Sequence, residues 1–220
     1  MLNAFVASKL CVEAAASDLC LTKLRCWRMV FAKLLASSVE FGASAWALTP
    51  LSDSTALELL TDVMAHFNID PACCSLASCV RKRGMAATFL YRAARACGSI
   101  KRASALTALA LTQCGADINV YAVVGCFFLL DHPVGVVIGQ QVVLGSNVVM
   151  MHGSTLGSTG VGSSARRHPK VGSGACLGAH CSVLGPKLVG HCSVVASGSL
   201  VNKRVPPYFT AVGLPSKLAC

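Results

Sequence analysis

The 220-residue chain is 54% hydrophobic and only 13% charged, with a formal net charge of +10 and 13 cysteines. That balance excludes a disordered polyelectrolyte, and an odd number of cysteines scattered through apolar runs argues against a disulfide framework. Small buried thiols in a reducing compartment are expected, in the cytoplasm or an organelle interior. The apolar stretches, such as Ala103 to Ala116, fall short of the roughly 18 residues that a bilayer span requires, so no membrane segment is expected.

Charge is unevenly placed. Residues 1–70 carry 5 Lys+Arg against 7 Asp+Glu, and residues 71–220 carry 14 against 2. The surplus suits an anionic ligand, but aromatic residues are only 6% and none interleave with the basic ones, which disfavours nucleic acid. A phosphate-bearing small molecule is the better match. The amino-terminal Lys9, Lys23, Arg25 and Arg28 alternate with Glu13 and Asp18 and lack the compact apolar block of a secretory signal.

In chain order, Ala56, Leu59, Leu60, Val63, Met64 and Phe67 recur at helical spacing, with Ser54 or Thr55 as the expected cap. Further helices are expected over about Met85 to Cys97 and Ala103 to Thr112. Residues 1–113 thus read as an α-helical amino-terminal domain.

After Asp117 the period becomes six. The apolar anchors are Ile118, Val124, Leu130 and Val136, then, after a slip of two, Ile138, Leu144, Met150 and Leu156. Beyond a Gly-rich interruption come Val171, Leu177, Val183, Val189, Val195 and Val201. Six residues make one short strand and one tight turn, and three such units close a triangular coil with the anchors inward. Small residues four positions after later anchors, Ala175, Cys181, Ser193 and Ser199, let the coils stack. A parallel β-helix is expected over 114–205, with an extended loop near 157–170 and a closing segment over 206–220.

Departures from the repeat carry the chemistry. Asp117 and Asp131 are the only acidic residues after Asp70, and Asp131 directly precedes His132. Their spacing puts Asp117 and His132 on neighbouring coils, where a carboxylate can orient an imidazole. Taken alone, the pair fits equally a turn-capping aspartate and a solvated corner histidine. The Gly-rich stretch from Gly153 to Gly162 lacks the Gly-Lys-Ser/Thr ending and does not join a strand to a helix, so it reads as a loop and not a phosphate cradle.

The segments Asp117-Ile118, Leu130-Asp131-His132-Pro133-Val134-Gly135-Val136-Val137-Ile138-Gly139, Ser154-Thr155-Leu156-Gly157-Ser158-Thr159-Gly160 and Arg167-His168-Pro169-Lys170 resemble the serine acetyltransferases in order and spacing. The tail from Val205 to Leu218 is similar as well. The resemblance covers residues 116–218 and implies an α+β chain, a helical bundle followed by a left-handed parallel β-helix. It implies acetyl transfer from acetyl-CoA to the L-serine hydroxyl for cysteine biosynthesis. His132 would be the general base and Asp117 its orienting partner, with Asp131 on the substrate ammonium. Arg167 and His168 would face the substrate carboxylate, and His152 would be a further pocket residue. Backbone N–H groups near Gly157 or Ser158 would receive the oxyanion. Acetyl-CoA would lie along Ser158, Ala179 and Ser197, with Lys217 on its phosphates.

No metal is expected. His132, His152 and His168 stand in acetyltransferase-like surroundings, and Cys73, Cys74 and Cys79 lack a second pair at zinc spacing. The sequence also departs from the family. Asp70-Pro71-Ala72 resembles the segment leading to an amine-binding aspartate whose expected position falls at Cys73 or Cys74. Gln140 stands where the family has Glu, Ser158 where it has Gly and Val161 where it has Lys. The short helical part implies a homotrimer, with a hexamer as the alternative. A chain ending at Cys220 without the family's isoleucine-terminated tail argues against a complex with cysteine synthase. Two alternatives to the serine enzyme are a catalytically impaired relative serving as a binding or assembly subunit, and an acetyltransferase for another hydroxyl.

Overall fold

The computed structural model describes residues 52–75, 78–79, 81–160 and 166–219; the helical reading before residue 52, and Val161, lie outside them. The described helices are α1 (Asp53–Ile69), α2 (Arg83–Ala96) and α3 (Ile100–Cys114). The Ser52 hydroxyl accepts from the Thr55 N–H at 3.3 Å, so the cap of α1 lies two residues before the expected Ser54. Leu59 and Val63 face inward, while Phe67 stays 42% exposed. Asp62 and His66 take places on the buried face instead. Gly115 ends α3 in the left-handed conformation, φ 73°, its N–H returning to the Ala110 and Leu111 carbonyls.

A three-faced coil follows. The first face stacks β1 (Asp117–Ile118), β4 (Val137–Ile138), β7 (Thr155–Gly157), β10 (Ser182–Leu184) and β13 (Leu200–Val201). The second stacks β2 (Val123–Val124), β5 (Val143–Leu144), β8 (Lys170–Val171) and β11 (Leu188–Val189). The third stacks β3 (Leu129–Asp131), β6 (Val149–Met151), β9 (Cys176–Leu177), β12 (Val194–Val195), β14 (Thr210–Val212) and β15 (Lys217–Ala219). Every pairing is parallel except β14 with β15.

Thirteen of the fourteen expected anchors lie in these strands and point into one apolar core, none more than 6% exposed. Val136 is the exception. It is buried, but in the corner layer shared with Val142, Val148, Ser154, Ala175, Cys181, Ser193 and Ser199. The two-residue slip is an insertion at the corner between β3 and β4. Ile118 therefore pairs with Ile138, twenty residues on, whereas Ile138 pairs with Leu156, eighteen on.

A stacked coil leaves unpaired backbone groups on its first turn, and the helices satisfy them. The Tyr91 hydroxyl donates to the Ala122 carbonyl at 2.6 Å, and Arg92 donates to the carbonyls of Val124 and Gly125 at 2.7 Å each. Thr61 and Asp62 accept from the N–H groups of Phe127 and Phe128. Asp62, fully buried, also holds Arg92 through two bonds of 3.0 and 3.2 Å. Burial pushes the Asp62 carboxyl up to about 6, against the pull of the guanidinium. These contacts fix the helical part to the strand that ends in Asp131.

Candidate functional site

The corner between the third and first faces carries a row of side chains two residues after each third-face anchor: His132, His152, Ala179 and Ser197, following Leu130, Met150, Leu177 and Val195. His132 belongs to the two-residue insertion and has φ 50°, which lifts its ring off the coil, 77% exposed. Its Nε2 lies 3.6 Å from Asp131 Oδ1. The rings of His132 and His152 meet edge to face at 6.2 Å, and those of His152 and His180 at 5.0 Å.

His180 was not expected from the sequence. Its N–H bonds to the His152 carbonyl as the Gly198 N–H bonds to that of Ala179 and the Gly153 N–H to that of Val134. In this row of positive φ, Gly153 and Gly198 are glycines and His180, φ 56°, is not. A histidine in an otherwise glycine row is the signal that could have found it. Its ring occupies the space above Gly153, where a Cβ would stand 2.2 Å from His180 Nδ1.

Asp117 lies outward on the first face, paired with Val137 of the next coil. It is therefore on the coil beside the His132 corner, as expected. Among the described residues, however, the imidazole has its ion pair with Asp131 and none with Asp117.

Arg167 and His168 approach from the opposite edge of the first face. The His168 ring is buried over Gly139, where a Cβ would lie 2.3 Å from its Cδ2. Burial, with Arg167 and Arg166 nearby, holds its pKa below the usual histidine value. Gln141 organises this edge. Its Oε1 accepts from the Arg167 N–H at 2.8 Å and lies 3.3 Å from His168 Nδ1, and its carbonyl accepts from Arg166 at 3.1 Å. Sequence reading singled out the neighbouring Gln140, which is exposed. One strand width, about 10 Å for three residues, separates this edge from the His132 corner within the chain.

The residues expected along a cofactor divide in the same way. Ala179 and Ser197 share the His132 corner, and among the described residues no hydrogen bond uses their N–H groups. Lys217 joins them, because it pairs with Val212 at the end of the third face beyond Ala196. Ser158 does not. It follows β7 at the opposite edge of the first face, where its hydroxyl accepts from the Gly160 N–H.

The helices supply one more carboxylate. Asp70 Oδ1 accepts from the Ala72 N–H at 2.9 Å, and Oδ2 pairs with Lys82 Nζ at 3.1 Å. Although burial acts upward on it, the Ala72 and Lys82 contacts hold Asp70 below the ordinary carboxylate range. Cys73, one of the two positions where the family's aspartate is expected, turns its thiol toward Asp70. His66 lies behind, its Nδ1 3.0 Å from the Asp62 carbonyl and its Nε2 3.3 Å from that of Leu130, next to Asp131. No described group of three or more His, Cys, Asp or Glu is arranged to hold a metal. No described helix is long and apolar enough to cross a membrane.

No family model matches the chain. It is 42% identical over 163 residues to serine acetyltransferase 4 of Arabidopsis thaliana, covering 71% of this chain and 45% of that protein. The chain spans about half the length of the curated relatives it matches. The solved serine acetyltransferase of Neisseria gonorrhoeae superposes with a TM-score of 0.77 at 30% identity, covering 87% of this chain and 78% of that one. The soybean serine acetyltransferase complexed with serine gives 0.74 at 31%, covering 86% and 82%. The parallel coil is the left-handed β-helix of those structures. By sequence and by fold together, the chain belongs to the serine acetyltransferase family.

Proposed function

We propose that this chain transfers the acetyl group of acetyl-CoA to the hydroxyl of L-serine, giving O-acetylserine for cysteine biosynthesis in the cytoplasm. The observation that carries the reading is the single corner that runs from the Asp131–His132 pair through His152, Ala179 and Ser197 to Lys217. Between β3 and β15 lie five strand spacings, about 24 Å, the kind of distance an extended thioester arm ending in phosphates must cover. The Ala179 and Ser197 N–H groups, which no described group accepts from, suit the amide carbonyls of such an arm, and the Lys217 ammonium suits its phosphates.

The His132 imidazole takes the serine hydroxyl proton while the oxygen attacks the thioester carbonyl. The oxygen–carbon bond forms, the carbon–sulfur bond breaks, and the leaving thiolate takes the proton from the imidazolium to give the CoA thiol and restore the base. No covalent enzyme intermediate is needed, since the thioester is already activated. Asp131 and Asp117 stabilise the imidazolium that results, and Asp131 with Asp70 faces the substrate ammonium. Arg167 and His168 meet the substrate carboxylate.

Because these two sets sit on opposite edges of one face, a complete pocket forms where the loop edge of one copy meets the His132 corner of the next. A homotrimer closes such contacts around an axis. The test follows CoA thiol release from acetyl-CoA with and without L-serine. Removing a general base lowers the rate by about 10²–10⁴-fold, the range expected for His132→Ala. Release that ignores serine or the substitution overturns the reading. CoA binding with no turnover favours an assembly subunit.

A further inference from the structure

At the amino end of α2, the Gly84 backbone abuts β3 so closely that a Cβ on it would stand 1.8 Å from the Leu130 carbonyl oxygen. Leu130 is the residue before Asp131, and Lys82 is two residues before Gly84. This close approach holds the amino end of α2, with Lys82 just before it, against the strand that leads into Asp131 and His132. Its ammonium is 3.1 Å from Asp70 Oδ2, with the Lys82 and Asp70 side chains 35% and 14% exposed. Asp70, and more weakly Asp131, raise the Lys82 pKa, so both carboxylates act on this one cation.

We propose that Lys82 is a specificity-determining residue, a tethered ammonium that occupies the Asp70 carboxylate and competes for it with the amino group of the acceptor. The inference rests on the serine acetyltransferase reading for the reaction it modulates. An incoming α-ammonium must displace Lys82 from Asp70 or settle for Asp131 alone. An acceptor that keeps the hydroxyl and carboxylate of serine but lacks the amine has no such conflict. Lys82 therefore narrows the preference for amino acids over the corresponding hydroxy acids.

The experiment compares wild type, Lys82→Met and Lys82→Arg with L-serine and with 3-hydroxypropionate as acceptors. An exposed ion pair of this kind is weak, so freeing the carboxylate lowers the KM for L-serine by about two- to fivefold. The change falls on KM and not on kcat. The ratio of kcat/KM for L-serine over 3-hydroxypropionate rises by the same factor. Lys82→Arg, which keeps the charge, stays near wild type. An unchanged or raised KM in Lys82→Met overturns the inference, as does a Lys82→Arg that behaves like Lys82→Met.

Failure of the underlying reaction is separately visible. If wild type releases no CoA with L-serine, calorimetric binding of L-serine still reads the competition. Tighter binding by Lys82→Met supports it, and equal or weaker binding overturns it.

Discussion

Replacing Arg92 with leucine removes the cation that joins the helices to the first coil. The guanidinium donates to two backbone carbonyls at 2.7 Å and to both Asp62 oxygens, and the Arg92 residue is 3% exposed. Truncating one member of a buried ion pair costs about 3–5 kcal/mol, because the remaining charge is left unpaired. Here the remaining charge can be discharged by a proton. Burial already pushes the Asp62 carboxyl up to about 6, and losing the Arg92 guanidinium that pulls it down moves it higher.

A carboxyl raised in this way contributes stability that is complete below its unfolded pKa and is lost as pH rises through the folded one. The Arg92→Leu deficit is therefore largest at pH 8, about 3–5 kcal/mol. At pH 5 it shrinks toward about 1.5–3 kcal/mol, the loss of charged hydrogen bonds alone. Urea denaturation at the two pH values, followed by circular dichroism, measures both. In the double variant Arg92→Leu/Asp62→Leu the pH 8 deficit is smaller than in Arg92→Leu by about 1 kcal/mol or more, since no buried carboxylate is stranded and Glu58, the other partner of Arg92 at 3.3 Å, is 43% exposed. A deficit that is flat with pH, or a double variant worse than the single one, refutes the reasoning.

Gly139→Ala places a methyl within 2.3 Å of the His168 ring and 3.0 Å of the Leu156 carbonyl, so His168 must leave its seat. Serine turnover falls by about tenfold or more, a misplacement effect, while CoA binding measured by calorimetry persists. Burial holds the His66 pKa below the usual histidine value. Its contribution to stability is complete above the unfolded pKa of about 6.5 and is lost as pH falls through the folded value. The gap in unfolding midpoint between wild type and His66→Gln therefore narrows from pH 7 to pH 5, and a gap that widens contradicts this. Leu156→Ala, at a fully buried anchor, costs about 2–5 kcal/mol in the same denaturation assay.

The sequence by itself determined the coil. A period of six with an apolar anchor admits one geometry, and thirteen anchors find the core because each strand is only two or three residues long and has one inward position. It also singled out the residues proposed to carry the chemistry, since Asp131 and His132 interrupt an almost acid-free stretch. It could not determine which side chains share a corner. Val136 keeps the six-residue spacing yet belongs to the corner layer, because the slip of two read in the sequence does not say on which side of Val136 the extra residues lie until register is known. Ser158 has the composition of a cofactor contact but lies on the edge away from Ala179 and Ser197. The resemblance puts a carboxylate at Cys73 or Cys74, while in the fold Asp70 is the carboxylate that pairs with Lys82 just before α2. These placements depend on how α1 and α2 pack against the first coil. That packing is set by buried bonds from Tyr91, Arg92 and Asp62 to backbone groups roughly thirty or more residues away, pairings that no local pattern encodes.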